Sequence, residues 1–228
     1  MSEPLRLDRR QRRRQETIEE VLDVAVEVMS EQGVAGLSVG EIARRMGIRP
    51  PSLYVYFPSK NALYDALFRR GAEQVLAAVR DSAAGLEDQA TLEETLLQAA
   101  RAFVRWSVEH PAYTQLLFWR PVPGFAPSEE AYAPALELLR LSRERLADLQ
   151  RRGLLRQDVE LDDVQRDWTV LASGVISQQL SNAPEESFDS GRFTAALPSL
   201  VTMFAHHYSS RSSTARRRGR AHQRRPDR

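Results

Sequence analysis

The sequence contains no cysteine and only one lysine. Without cysteine there is no disulfide framework, no thiolate metal site and no cysteine nucleophile. No apolar run approaches the roughly 20 residues that a helix needs to cross a bilayer. The opening stretch, MSEPLRLDRRQRRRQ, is basic, yet no apolar signal core follows it. There are four histidines, and the adjacent pair His206-His207 would point about 100° apart on a helix, a poor chelating arrangement. No HExxH, Gly-rich phosphate loop or GxSxG occurs. The neighbouring Asp162 and Asp163 are better explained as charge at a helix N-terminus than as an acid–base pair. The expectation is a soluble cytoplasmic protein that is not an enzyme and uses neither metal nor cofactor.

What is present is enough for a core. The chain has 228 residues, 42% of them hydrophobic, which suits one large domain or two modest ones. A net charge of +1 conceals segregation: residues 71 to 210 hold 12 basic and 20 acidic side chains, whereas the last 18 hold eight Arg and one Asp. Six more Arg lie within the first 14 residues. The ends suit a polyanionic partner and the acidic middle does not.

The stretch Ser38 to Lys60, SVGEIARRMGIRPPSLYVYFPSK, reads as two short helices about a tight turn. Ile42, Ala43 and Met46 form an apolar face at helical spacing, with Val39 one turn earlier. Ser38 and Glu41 make a capping-box pattern at the first helix. Gly47 supplies the left-handed residue that reverses the chain, and Pro50 and Pro51 fit only in the first turn of the second helix. Leu53 and Phe57, four apart, point back at the first. This is a helix-turn-helix, whose second helix enters the DNA major groove.

The pattern continues beyond that motif. Leu53-Tyr54-Val55-Tyr56-Phe57-Pro58-Ser59-Lys60-Asn61-Ala62-Leu63 closely resembles the LYYHFPSKEAL signature of the TetR family of transcriptional regulators. The likeness extends upstream to Ile18, Ala25, Gly33 and Leu37, covering roughly residues 12 to 68. It implies an all-α protein in which an N-terminal three-helix helix-turn-helix domain is joined by a connecting helix to a helical ligand-binding and dimerisation domain. It also implies a homodimer on a double-stranded DNA operator, most often a repressor, released by a small and largely apolar effector. A nucleoid-associated cytoplasmic location goes with that role.

The expected organisation is a disordered basic arm (1–14), the DNA-binding domain (15–60), the ligand-binding and dimerisation domain (61–208) and a disordered basic tail (209–228). Helices are expected at Gln15–Gln32, ended by Gly33, and from Asn61 to about Ala84, followed by a polar break through Ala90. Further helices are expected at Thr91–Glu109, Ala112–Trp119, Glu129–Arg152 (irregular at Pro134), Asp162–Asn182 and Phe188–Tyr208, the last bent near Pro198. The stretch Arg120 to Ser128, with three Pro and a Gly, reads as a loop.

Carried over by resemblance, Ser38, Tyr54, Tyr56 and Lys60 occupy phosphate-contact positions, with Thr17 also near the backbone. Arg49, Pro50, Pro51, Ser52 and Val55 fall where bases are read; Arg49 can donate a bidentate pair to guanine, whereas Pro51 and Val55 offer only apolar surface. Val55 departs from the Tyr or Trp common in the family. Arg44 and Arg45 read either as backbone contacts or as solvated charge. Trp106, His110, Tyr113, Phe118, Trp119, Phe125 and Trp168 are candidates for lining an effector pocket, although aromatic residues at helical spacing more often serve as plain core. Ser173, Gly174, Ser177, Leu200 and Phe204 are candidates for the dimer interface, with completion of the monomer core as the other reading. A competing function is a non-specific architectural DNA-binding protein that uses its Arg-rich termini and binds any duplex equally.

Overall fold

The computed structural model describes residues 9–82 and 90–210, and all regular elements among them are helices. Residues 1–8 of the expected basic arm, the greater part of the polar break and the tail from 211 lie outside the described residues. The helices are α1 (Arg9–Gln32), α2 (Val39–Arg45), α3 (Pro50–Leu53), α4 (Lys60–Asp81), α5 (Leu92–Glu109), α6 (Pro111–Phe118), α7 (Glu129–Arg151), α8 (Leu161–Asn182) and α9 (Leu197–Tyr208). They form two compact units: one runs up to Ala72 and adds His110–Ala133, and the other comprises Glu73–Glu109 and the chain from Pro134. The division thus falls inside α4, and α6 belongs to the first unit.

The first unit is built on α1. Its i, i+3, i+4 apolar stripe buries Val21, Leu22, Ala25, Val28 and Met29, and Gly33 ends the helix at φ 77°. The helix begins at Arg9, six residues before the expected Gln15, so the second half of the arm is helical; Arg and Gln are good helix formers, and α1 propagates through them. A short 3-10 turn, Val34–Gly36, leads to α2. Tyr64 of α4 is fully buried, and its hydroxyl donates to the Val34 carbonyl at 2.6 Å, fixing α4 to this turn. Asp65 accepts from the Ser128 N–H and hydroxyl, both at 2.7 Å, which ties α4 to the start of α7. Gly71 lets α6 come close: a Cβ there would stand 2.6 Å from the Tyr113 ring.

The second unit packs α5 against α8 and α9. A capping box opens α5: the Thr91 hydroxyl accepts from the Glu94 N–H, and the Glu94 carboxylate accepts from the Thr91 N–H at 2.8 Å. Leu96, Val104, Leu146, Leu149, Val175, Ile176, Leu197 and Val201 form the centre of the core. The expected long helix from Phe188 is corrected. Residues 188–196 are turns and one 3-10 segment, and α9 starts at Leu197 with Pro198 in its first turn. The reason is a fully buried glutamine. Gln179 donates to the Ala183 carbonyl at 2.7 Å and accepts from the N–H groups of Phe193 and Thr194 at 3.1 and 3.3 Å. These bonds satisfy backbone groups that a helix would otherwise use, so the segment folds as a loop around one side chain.

Gly71 provides a test of the close approach of α6. Ala normally gains about 1 kcal/mol over Gly inside a helix, but Gly71→Ala should destabilise the protein by about 1–3 kcal/mol through overpacking against Tyr113. Urea denaturation checks this, and adding Tyr113→Val should recover part of the loss.

Candidate nucleic-acid interface

The helix-turn-helix is held from behind and left bare in front. Ile42 and Ala43 of α2 are fully buried, and Leu53 and Phe57 pack behind α3. Ser38 caps α2 by accepting from the Glu41 N–H at 3.4 Å. Gly47 turns the chain at φ 67°, with the Ile48 N–H returning to the Ala43 carbonyl at 3.0 Å. Arg49 is extended and precedes the two prolines, which take the first positions of α3.

On the outer side, Arg49, Pro50, Pro51 and Ser52 are exposed. Tyr54 is 50% exposed and Val55 68%. Half of the Tyr54 surface is therefore open to a contact from outside. Tyr56 is half-buried, with the Arg14 guanidinium 5.2 Å from its ring centroid. Lys60 is exposed at the start of α4; its ammonium donates to the Ala35 carbonyl at 3.4 Å and lies 5.5 Å from the centre of the Tyr64 ring. Thr17 donates to the Arg13 carbonyl within α1. The structure thus gathers Arg49, Pro50, Pro51, Ser52, Tyr54 and Val55 along one exposed segment.

The electrostatics of α2 depart from the sequence pattern. Glu41 does not reach back to its cap. Its carboxylate accepts from Arg44 at 2.8 and 2.7 Å and from Arg45 at 2.8 Å. Arg45 continues to Glu31 of α1 at 2.9 and 2.5 Å. Arg45 is therefore a tie between α1 and α2, while Arg44 is an exposed partner of Glu41. Hydrogen bonds from Arg44, and then Arg45, hold the Glu41 carboxyl down at about 2, and Arg45 lowers Glu31 in the same way. Sequence spacing shows Arg44 beside Glu41; it does not show the 14-residue reach from Arg45 to Glu31.

The effector candidates are divided between the units. In the first unit, Tyr113 is buried against Gly71, Phe125 packs 5.5 Å from Tyr64, and Phe118 and Trp119 are partly exposed. His110 precedes α6. In the second unit, Trp106 is buried, and Trp168 meets Phe204 edge-on at 5.2 Å in a cluster that includes Tyr208. Of the dimer candidates, Ser173 and Gly174 are exposed, Ser177 is half-buried, and Leu200 and Phe204 pack into the core. Val170 and Met203, 66% and 68% exposed, are the large apolar residues on the outer faces of α8 and α9. Their signal in the sequence was an apolar residue standing off the buried stripe.

Residues 21–67 match the model for bacterial regulatory proteins of the TetR family, and residues 96–198 match the tetracyclin repressor-like C-terminal domain. The class D tetracycline repressor of Escherichia coli is 36% identical over 91 residues, covering 39% of this chain and 40% of that protein. A helix-turn-helix-type transcriptional regulator of Mycobacterium bovis is 27% identical over 164 residues, covering 72% and 68%. The chain thus spans less than half the length of the tetracycline repressor and about two thirds of the mycobacterial protein. Among solved structures, a Rhodococcus protein of unknown function superposes with a TM-score of 0.70 at 18% identity, covering 84% and 94% of the two chains. FadR from Bacillus subtilis in complex with stearoyl-CoA gives 0.64 at 16%, covering 82% and 97%; both show a shared fold.

The low Glu41 pKa gives a pH dependence. Its carboxylate is favoured in the folded state, so its contribution is complete above the ordinary value of 4.5 and is lost as pH falls toward 2. Urea midpoints measured from pH 6 to about 2.5 should fall more steeply for the wild type than for Glu41→Gln, which has no proton to take up.

Proposed function

The chain belongs to the TetR family of bacterial regulatory proteins, helical DNA-binding regulators of transcription, and from that premise we propose that it is a homodimeric, operator-specific repressor released by a small, largely apolar effector. The observation that carries the reading is the exposed surface formed by Arg49, Pro50, Pro51, Ser52, Tyr54 and Val55, held from behind by buried Leu53 and Phe57. In this reading Arg49 reads a guanine edge, Pro51 and Val55 meet thymine methyls, and Ser38, Tyr54, Tyr56 and Lys60 hold phosphates. The operator-bound protein resides in the cytoplasm on the nucleoid.

The dimer would form through the outer faces of α8 and α9. Val170, Ser173, Gly174 and Ser177 recur at helical spacing on α8, and Met203 lies on the outer side of α9. Gly174 has nothing within 4 Å of a built Cβ, so helix approach there is limited only by the partner. The effector would enter the helical second unit, where Trp106 and Trp168 stand among core side chains. A fold relative was solved with stearoyl-CoA, which supports an apolar ligand class for this architecture. Release requires that the ligand bind more tightly to a conformation that does not fit the operator.

Binding to DNA flanking its own gene, against random duplex, tests the reading. A specific complex on a two-fold symmetric site is expected, and Arg49→Ala should remove about 1–3 kcal/mol of discrimination at one base pair. Equal affinity for both duplexes, in the wild type, would instead support the architectural alternative.

The dimer is tested separately. Gly174→Arg fills space that is open within the chain, so the fold should persist. Light scattering should then report a monomer, and the two-fold complex should be lost. A dimer unchanged by the substitution would exclude this face.

A further inference from the structure

The arginines at the start of α1 are left unexplained by the packing of the first unit. Five of the first six residues of the helix are Arg9, Arg10, Arg12, Arg13 and Arg14. All are exposed, and none forms an ion pair among the described residues. The first turn of the helix holds no acidic residue among the described residues, and the positive end of a helix dipole disfavours the cations that stand there. Such a turn gains from an external polyanion.

The geometry indicates where that polyanion lies. The Arg14 guanidinium sits over the Tyr56 ring, next to the segment that reads DNA. At about 100° per residue, Arg10 lies about 40° from Arg14, while Arg9 and Arg12 lie about 140° and 160° away. Thr17 and Val21 continue the Arg14 line, and Val21 is fully buried. Arg10 and Arg14 are therefore on the side that α1 turns toward its own unit, and Arg9 and Arg12 are on the other. We propose that Arg10 and Arg14 form a second phosphate-binding strip, joined to the recognition segment through Tyr56, that grips the operator backbone beside the bases α3 reads. This rests on the operator-binding reading above. The occupant is duplex DNA because the strip adjoins the candidate interface and its charge is complementary to the phosphodiester chain.

Two double variants of the full chain test it, each removing two charges and each using Gln, a good helix former. Arg10→Gln with Arg14→Gln should weaken operator binding on the order of tenfold or more at about 0.1 M salt. It should also lower the slope of log K against log salt by about 0.9 for each phosphate that the variant no longer neutralises. Arg9→Gln with Arg12→Gln should change both far less, with circular dichroism the same for the two. If the wild type prefers its site and the two pairs weaken binding equally, or neither does, the strip is overturned while the regulator reading stands. A wild type that prefers no duplex overturns both.

Discussion

One turn of helix, Pro50–Leu53, opens the exposed segment nominated for base contact, and a single turn has too few internal hydrogen bonds to persist alone. Its position is imposed from outside. The prolines set the backbone of its first residues, Gly47 reverses the chain before it, and Leu53 and Phe57 anchor it from behind. The bare outer face follows from the same constraint, because α3 has only one side to bury and uses it for attachment. A helix so short cannot be adjusted piecemeal; it moves with α2 or comes apart.

That dependence gives the charge cluster on α2 its importance. Arg45 donates to Glu41 on its own helix and to Glu31 on α1, so the support of α3 is tied in turn to α1. Surface ion pairs are individually weak, but a guanidinium shared by two carboxylates through parallel bonds is among the better geometries. The cost is electrostatic reach. An Arg45 engaged with Glu31 and Glu41 adds little positive potential for DNA, and Arg44 is partly offset by the same Glu41. The reading surface must draw its attraction from elsewhere.

Much of this was legible in the sequence, because the helix-turn-helix is written in local chemistry. Ser38, Gly47, Pro50 and Pro51 each demand a specific backbone state, and the structure shows each in it. The family signature then supplied the fold class, which no single motif could. What escaped was long-range. Gln179 reads as one more polar residue on α8, yet it determines that 188–196 is a loop. Arg45 reads as one of two equivalent arginines, and only the approach of α1 distinguishes them. The aromatic effector candidates read as one set in the sequence, but Tyr113 and Phe125 pack against α4 in the first unit, whereas Trp106 and Trp168 are in the second. Periodicity reports burial; it does not report against what.

The distribution of unpaired cations links these points. Arg70 bonds Asp23, Arg80 bonds Glu137, Arg105 bonds Asp189 and Arg192 bonds Glu186, so each carries its counter-charge with it. Arg145 is half-buried beside the Val79 carbonyl at 2.9 Å, and burial lowers its pKa; it acts as a cap on α4. Around the exposed segment of the first unit, by contrast, Arg10, Arg14, Arg49 and Lys60 form no ion pair among the described residues, and all four are exposed. Paired charges cancel at short range and are screened beyond a Debye length of about 10 Å, so the field that a DNA duplex meets is set by the unpaired ones. In a chain of near-zero net charge, attraction of a polyanion to the described part of the first unit therefore rests on a few unpaired cations around the exposed segment.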